Sequence, residues 1–111
     1  MTRWQQAAAY TPFFRGHAHE HSKRREPWVF GDPWTGHIRE ATMARYELLP
    51  YWYTLFHQAE RSGVPTMRPL WTADGFGADE RCLADEGDRA FMAGPALLVH
   101  PVSRCVVVVG V

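Results

Sequence analysis

His17, His19 and His21 alternate in the stretch FFRGHAHEH, and Arg15 precedes the first of them by two residues. On an extended strand, residues i, i+2 and i+4 share one face. Three imidazoles on one face can converge on a zinc ion, with Glu20 or Glu26 close by in sequence. Alternation alone is a weak ligand signal, because only the residues up to about His17 read as strand and the register is lost in the loop beyond. For His19 and His21, the plainer reading is surface histidine without a ligand. A small non-enzymatic histidine-rich module, binding a metal or a partner, is the alternative these residues leave open. Arg15 falls on the same side of the strand as His17. An arginine flanked by Phe13 and Phe14 calls for a carboxylate partner, and none stands nearby in sequence.

Other chemistry finds less support. Ser22, Ser62 and Ser103 sit in no GxSxG elbow. Cys82 and Cys105 have no CxxC spacing and no histidine in a recognisable arrangement with them. Asp74, Asp79, Glu80, Asp85, Glu86 and Asp88 cluster in the most loop-like part of the chain and read as a solvated acidic loop. No glycine-rich phosphate loop is present, and no motif asks for a cofactor.

The elements that must position these residues follow from periodicity. Residues 2 to 9 read as a helix with Trp4, Ala7 and Ala8 on one face, stopped by Pro12. FFRGH reads as a short strand, and residues 18 to 34 as loop punctuated by Pro27, Gly31 and Pro33. Ala41, Leu48, Leu49, Trp52, Leu55, Phe56 and Ala59 then mark one face of a long helix, opened near Asp32, Pro33 or Thr35 and closed by Gly63 and Pro65. Pro50 removes a backbone donor and crowds the carbonyl of Tyr46, so a kink is expected there. The aromatic run YELLPYWYTLF reads as core, while Trp28 and Trp34 are placed for exposure. PTMRPLW is extended, since its prolines disfavour helix around them. ALLVHPV reads as a buried strand and CVVVVGV as a further strand without charge. The fold class is α/β: one helix–strand–helix unit followed by something β-rich. One such unit cannot bury its own apolar faces, which suggests a piece of a larger protein.

Composition bounds the rest. Twelve basic and twelve acidic residues give zero formal net charge over 111 residues. The short cluster SKRRE meets Glu26 at once, so no basic stripe points to nucleic acid. No run reaches the roughly 20 apolar residues that span a bilayer, and MTRWQQAAAY lacks the apolar core of a signal peptide. Aromatic content of 14% is high and belongs to a large core or to pockets against flat apolar faces.

Taken together, the blocks RWQQAAAYTPFFRGHAH, RREPW, HIREATMARYELLPYWYTLFHQAERSGVPTMRPLW and ALLVHPVS resemble glycoside hydrolase family 31 over residues 3 to about 103. The resemblance implies a (β/α)8 TIM barrel followed by β-rich domains. Residues 1–65 would be the C-terminal end of the barrel domain, with 12–17 as its last strand and 35–62 holding the long helix that follows. Residues 66–111 would begin the adjoining β domain, with a divergent tail from about 104. The activity implied is retaining hydrolysis of terminal α-glucosidic bonds by two carboxylates, both carried by earlier parts of the barrel, so no catalytic residue is expected in this chain.

By the same resemblance His17 contacts sugar hydroxyls at the barrel rim, a task suited to an imidazole with one donor and one acceptor. Arg15 is expected behind it, holding pocket carboxylates. No metal and no cofactor is implied. The partners implied are an α-glucoside or oligosaccharide, the rest of the barrel and, in one branch of the family that works in the endoplasmic-reticulum lumen, a regulatory β-subunit. The chain departs from the family pattern at Ala90, at Pro95 and through residues 72 to 90.

Overall fold

This computed structural model describes residues 1–73, 80 and 89–101, together with the backbone of 106–110. The acidic cluster other than Glu80, both cysteines and Ser103 lie outside the described residues. The chain divides into two compact units, Met1–Leu49 and Pro50–Val111.

In the first unit, helix α1 (Thr2–Ala8) leads into an irregular stretch. A 3-10 turn (Pro27–Phe30) then precedes helix α2 (Trp34–Glu47). The hydroxyl of Thr35 donates to the carbonyl of Pro27 at 3.2 Å and ties that turn to the start of α2. The buried side of the unit consists of Ala9, Ile38, Ala41 and Arg45. Ile38, Ala41 and Arg45 follow the i, i+3, i+7 spacing of one helix face, so a cation occupies a position where the pattern calls for an apolar residue. Trp4, expected on the packed face of α1, is 76% exposed.

The strand expected at residues 12–17 is not formed. Residues 13–19 carry neither helical nor ladder hydrogen bonds. A barrel strand is stabilised by parallel neighbours on both edges, and the first unit offers no described strand to pair with.

Helix α3 (Leu49–Ser62) opens the second unit, so the single kinked helix expected over 35–62 is two helices. The break falls at Leu48, the C-cap of α2, whose N–H still reaches Ala44 at 3.2 Å. Pro50 explains it. Within the first turn of a new helix its missing N–H costs nothing, whereas inside a continuous helix it would remove a bond and clash with the preceding turn. Gly63, at φ 73°, ends α3 and donates to Ala59 at 2.8 Å, a left-handed terminus that favours glycine.

The rest of the unit is a four-stranded antiparallel sheet in the order β1 (Met67–Pro69), β2 (Phe91–Ala93), β3 (Leu97–Pro101) and β4 (Val106–Gly110). Register runs from Met67 opposite Ala93, through Phe91 opposite Val99, to Leu97 opposite Gly110. PTMRPLW is extended only through β1 and then turns into a 3-10 helix (Leu70–Thr72).

Trp52 and Leu55 from α3 and Met92, Ala93 and Val99 from the sheet form the core of the second unit. The Tyr51 hydroxyl donates to the carbonyl of Ala93 at 2.9 Å and accepts from the N–H of Ala96 at 3.3 Å, which pins α3 to the β2–β3 turn. The aromatic run is core only in part. Leu49 and Phe56 are 44% and 50% exposed, and Tyr46 and Tyr53 more so. Each lies on a helix side left largely open by the described residues of its own unit. No described helix is long and apolar enough to cross a membrane.

Candidate functional site

The site builds outward from the end of α1. The hydroxyl of Thr11, just past that end, lies 2.8 Å from the carbonyls of both Ala8 and Phe13. From α2, the Arg45 guanidinium donates to three carbonyls of the same stretch, those of Ala9 at 3.2 Å, Thr11 at 2.5 Å and Pro12 at 3.1 Å. It also lies over the Phe14 ring, 5.7 Å from the centroid, a cation–π contact. Arg45 is buried, and desolvation moves its pKa down from the ordinary value for arginine. The carbonyl of Ala9, the C-cap of α1, brings the negative end of that helix's peptide dipoles to the charge.

Beyond this anchor come the residues singled out in the sequence. Arg15 and His17 are both exposed, and Arg15 Nη2 lies 2.9 Å from His17 Nδ1. A guanidinium has donors and no acceptor. The nitrogen it meets must therefore present a lone pair, which places the ring proton of neutral His17 on Nε2, pointing away from Arg15. The expectation that the two share one side holds even without a strand. Among the described residues no carboxylate pairs with Arg15; its partner is His17 instead.

His19 and His21 separate from this pair. The backbone turns at residues 19–22, where the N–H of Ser22 reaches the carbonyl of His19 at 2.8 Å. Nδ1 of His19 accepts from the N–H of His21 at 3.2 Å, and the two ring centroids lie 5.2 Å apart with the planes tilted by 56°. His21 Nε2 is 3.6 Å from Glu20. Among the described residues no three metal-ligating side chains converge, so the metal-binding alternative finds no support. The turn destroys the period-two register on which it rested.

Arg15, His17, Glu20, Lys23, Arg24 and Glu26 are among the residues around a concave surface of about 480 Å3 within the first unit. Its carboxylates are already engaged, Glu20 with His21 and Glu26 with Arg24 Nε at 3.1 and 3.3 Å. The carboxyl of Glu26 is held below its ordinary range, chiefly by a hydrogen bond from its own backbone N–H, with Arg24 adding to it. The surface offers donors to a polar ligand and no pair of free carboxylates for acid–base work.

Sequence reasoning passed over Arg45 and Thr11. A search for apolar periodicity skips a cation by construction, although position 45 lies four residues after Ala41 and seven before Trp52, in register with both.

Residues 1–55 match the TIM-barrel domain of glycosyl hydrolases family 31. Human neutral alpha-glucosidase C is 54% identical over 94% of this chain and 11% of its own length. Neutral alpha-glucosidase AB of Dictyostelium discoideum is 51% identical, again over 94% of this chain and 11% of its own length. The chain thus spans about a tenth of the length of the curated relatives it matches. Among solved structures, a xylosidase from Aspergillus niger superposes with a TM-score of 0.77 at 26% identity, over 91% of this chain and 16% of that one. With half its length matching the family's barrel domain, and nearly all of it aligning with α-glucosidases at about half identity, this chain belongs to glycosyl hydrolase family 31.

Proposed function

We propose that the chain is part of a retaining exo-α-glucosidase that hydrolyses terminal α-glucosidic bonds of oligosaccharides or N-glycans. Residues 1–65 are the C-terminal end of its barrel domain, with 12–17 delivered to the last strand position and 35–62 following it. Residues 66–111 open the adjoining β domain. His17 hydrogen-bonds a hydroxyl of the glucose unit at the cleavage point. Arg15 stands behind it, with Nη1 and Nε directed to pocket carboxylates on the rest of the barrel.

The observation that carries this reading is the 2.9 Å contact between Arg15 Nη2 and His17 Nδ1. It leaves Nε2–H as a fixed donor on an exposed ring, suited to the lone pair of a sugar hydroxyl. The nucleophile and acid/base carboxylates of a retaining enzyme stand about 5–5.5 Å apart. Both belong to earlier parts of the barrel, so the chain by itself is inactive. In the branch of the family that includes glucosidase II, the enzyme works with a regulatory β-subunit in the endoplasmic-reticulum lumen, and this chain's similarity to the neutral α-glucosidases supports that branch.

The test is a graft. Residues 1–101 replace the matching stretch of human neutral alpha-glucosidase C, and hydrolysis of an aryl α-glucoside is measured. Activity is expected in the graft, severe loss with His17→Ala, and no turnover from the 111-residue chain alone. A folded graft without activity, or one indifferent to His17→Ala, would sink the proposal.

A further inference from the structure

His17 belongs to no helix and no ladder, so its place depends on where the preceding stretch delivers the chain. Two side chains hold that stretch. Arg45 reaches back 33 to 36 residues to the carbonyls of Ala9, Thr11 and Pro12. Thr11 spans the carbonyls of Ala8 and Phe13. The Phe14 ring lies against the Arg45 guanidinium. The hold therefore ends one residue before Arg15, the partner of His17. We infer that Arg45 is a positioning residue for the sugar contact: by clamping the backbone from Ala9 to Phe14, it sets where the Arg15–His17 pair stands. The inference rests on His17 contacting the sugar.

The geometry requires arginine in particular. Its guanidinium is a planar fork with donors on both terminal nitrogens, and here both terminal nitrogens are engaged. A lysine at the same place keeps the charge but brings one nitrogen at the end of a flexible stem. Its three N–H donors diverge from a single nitrogen, so it cannot match carbonyls spaced to meet two separate nitrogens while presenting a flat group to the Phe14 ring. Displacement of a substrate-contacting group by about 1 Å can cost about a hundredfold in rate. Loss of the clamp should therefore appear in catalysis as well as in stability.

The experiment compares Arg45→Lys, His17→Ala and the double variant in the grafted neutral alpha-glucosidase C, with active sites counted by a mechanism-based covalent inhibitor. Arg45→Lys should lower kcat/KM per active site by about tenfold or more. In the His17→Ala background it should lower it by less than about threefold, because residues acting through one contact are not additive. Unchanged kcat/KM per active site with a lower melting temperature, or full additivity with His17→Ala, would show a merely structural role and overturn the inference.

If the Arg45→Lys graft does not fold, Thr11→Val carries the same comparison, since it removes the hydroxyl bridge while keeping volume. If the unaltered graft is inactive, the sugar-pocket reading fails by itself. Arg45 is then judged on the 111-residue chain from the imidazole 15N shifts of His17. One tautomer is expected in the unaltered chain and an averaged pair in Arg45→Lys and Thr11→Val. Identical shifts in all three would overturn the inference.

Discussion

Arg15 donates from Nη2 to Nδ1 of His17 at 2.9 Å, across a separation of only two residues. The inner nitrogen of the imidazole is thus occupied and the outer one faces away as a donor. Two amides divide these roles. In His17→Asn the side-chain oxygen can take the place of Nδ1, while in His17→Gln the side-chain nitrogen can take that of Nε2–H.

The graft carrying His17→Gln should therefore retain more kcat/KM than the one carrying His17→Asn. A hydrogen bond to substrate worth about 1–3 kcal/mol corresponds to about 5- to 150-fold. We expect Asn and Ala to fall in that range and Gln to stay within about tenfold of the unaltered graft. Steady-state kinetics on an aryl α-glucoside decide it; equal losses for Gln and Asn would contradict an outward donor.

The Tyr51 hydroxyl serves two backbone groups, the carbonyl of Ala93 and the N–H of Ala96. Tyr51→Phe leaves the buried carbonyl without that donor. It should destabilise the second unit by about 1–3 kcal/mol, read as a lower urea midpoint with an unchanged slope.

Two glycines share one backbone region and differ in surroundings. At Gly63, with φ 73°, an added Cβ meets open space. At Gly94, with φ 62°, it would collide with Leu55 Cδ2 and the Tyr51 hydroxyl. Gly63→Ala should cost only the left-handed penalty of about 1–2 kcal/mol. Gly94→Ala adds overpacking of about 1–3 kcal/mol and should also weaken the Tyr51 bonds. Thermal unfolding of the two variants side by side should show the larger loss at Gly94.

Glu26 supplies the pH dependence. Its folded carboxyl is held below the ordinary 4.5 by its own backbone N–H and by Arg24. A depressed carboxylate contributes stability above its unfolded pKa and loses it as pH falls through the folded value. Residues 24–26 should therefore keep their amide shifts at pH 5 and lose them on acidification below 4.5. Glu26→Gln should abolish that step, observed by 15N–1H correlation spectra across the titration.

Much of this molecule is legible in the sequence, and the exceptions have physical reasons. Gly63 marks the end of its helix, and Pro50 marks the place of an interruption that reads as a kink and forms as a break, because each acts through its own backbone, with no help from distant residues. ALLVHPV reads as the strand that becomes β3, whereas its pairing with Phe91–Ala93 across the turn at Gly94 is visible only in the structure. FFRGH fails as a strand because a strand is made by neighbours, and neighbours are not encoded locally. Phe56 fails as core for the same reason: period gives a face, not what covers it. That Arg15 and His17 share one side is read from their spacing, but their hydrogen bond is not, since the sequence calls for a carboxylate as the partner of Arg15. Arg45 is hidden because a buried cation imitates a gap in an apolar stripe.

The clamp at Arg45 has an evolutionary consequence. Three of its partners are the carbonyl oxygens of Ala9, Thr11 and Pro12, a group which every amino acid possesses. Substitution at Ala9 or Pro12 therefore changes none of the atoms Arg45 binds, while substitution at position 45 removes all three bonds at once. The dependence runs one way. Positions 9 and 12 can drift independently of position 45, so these three bonds would leave no pairwise trace in a comparison of sequences; the ring contact with Phe14 is the part of the clamp that would.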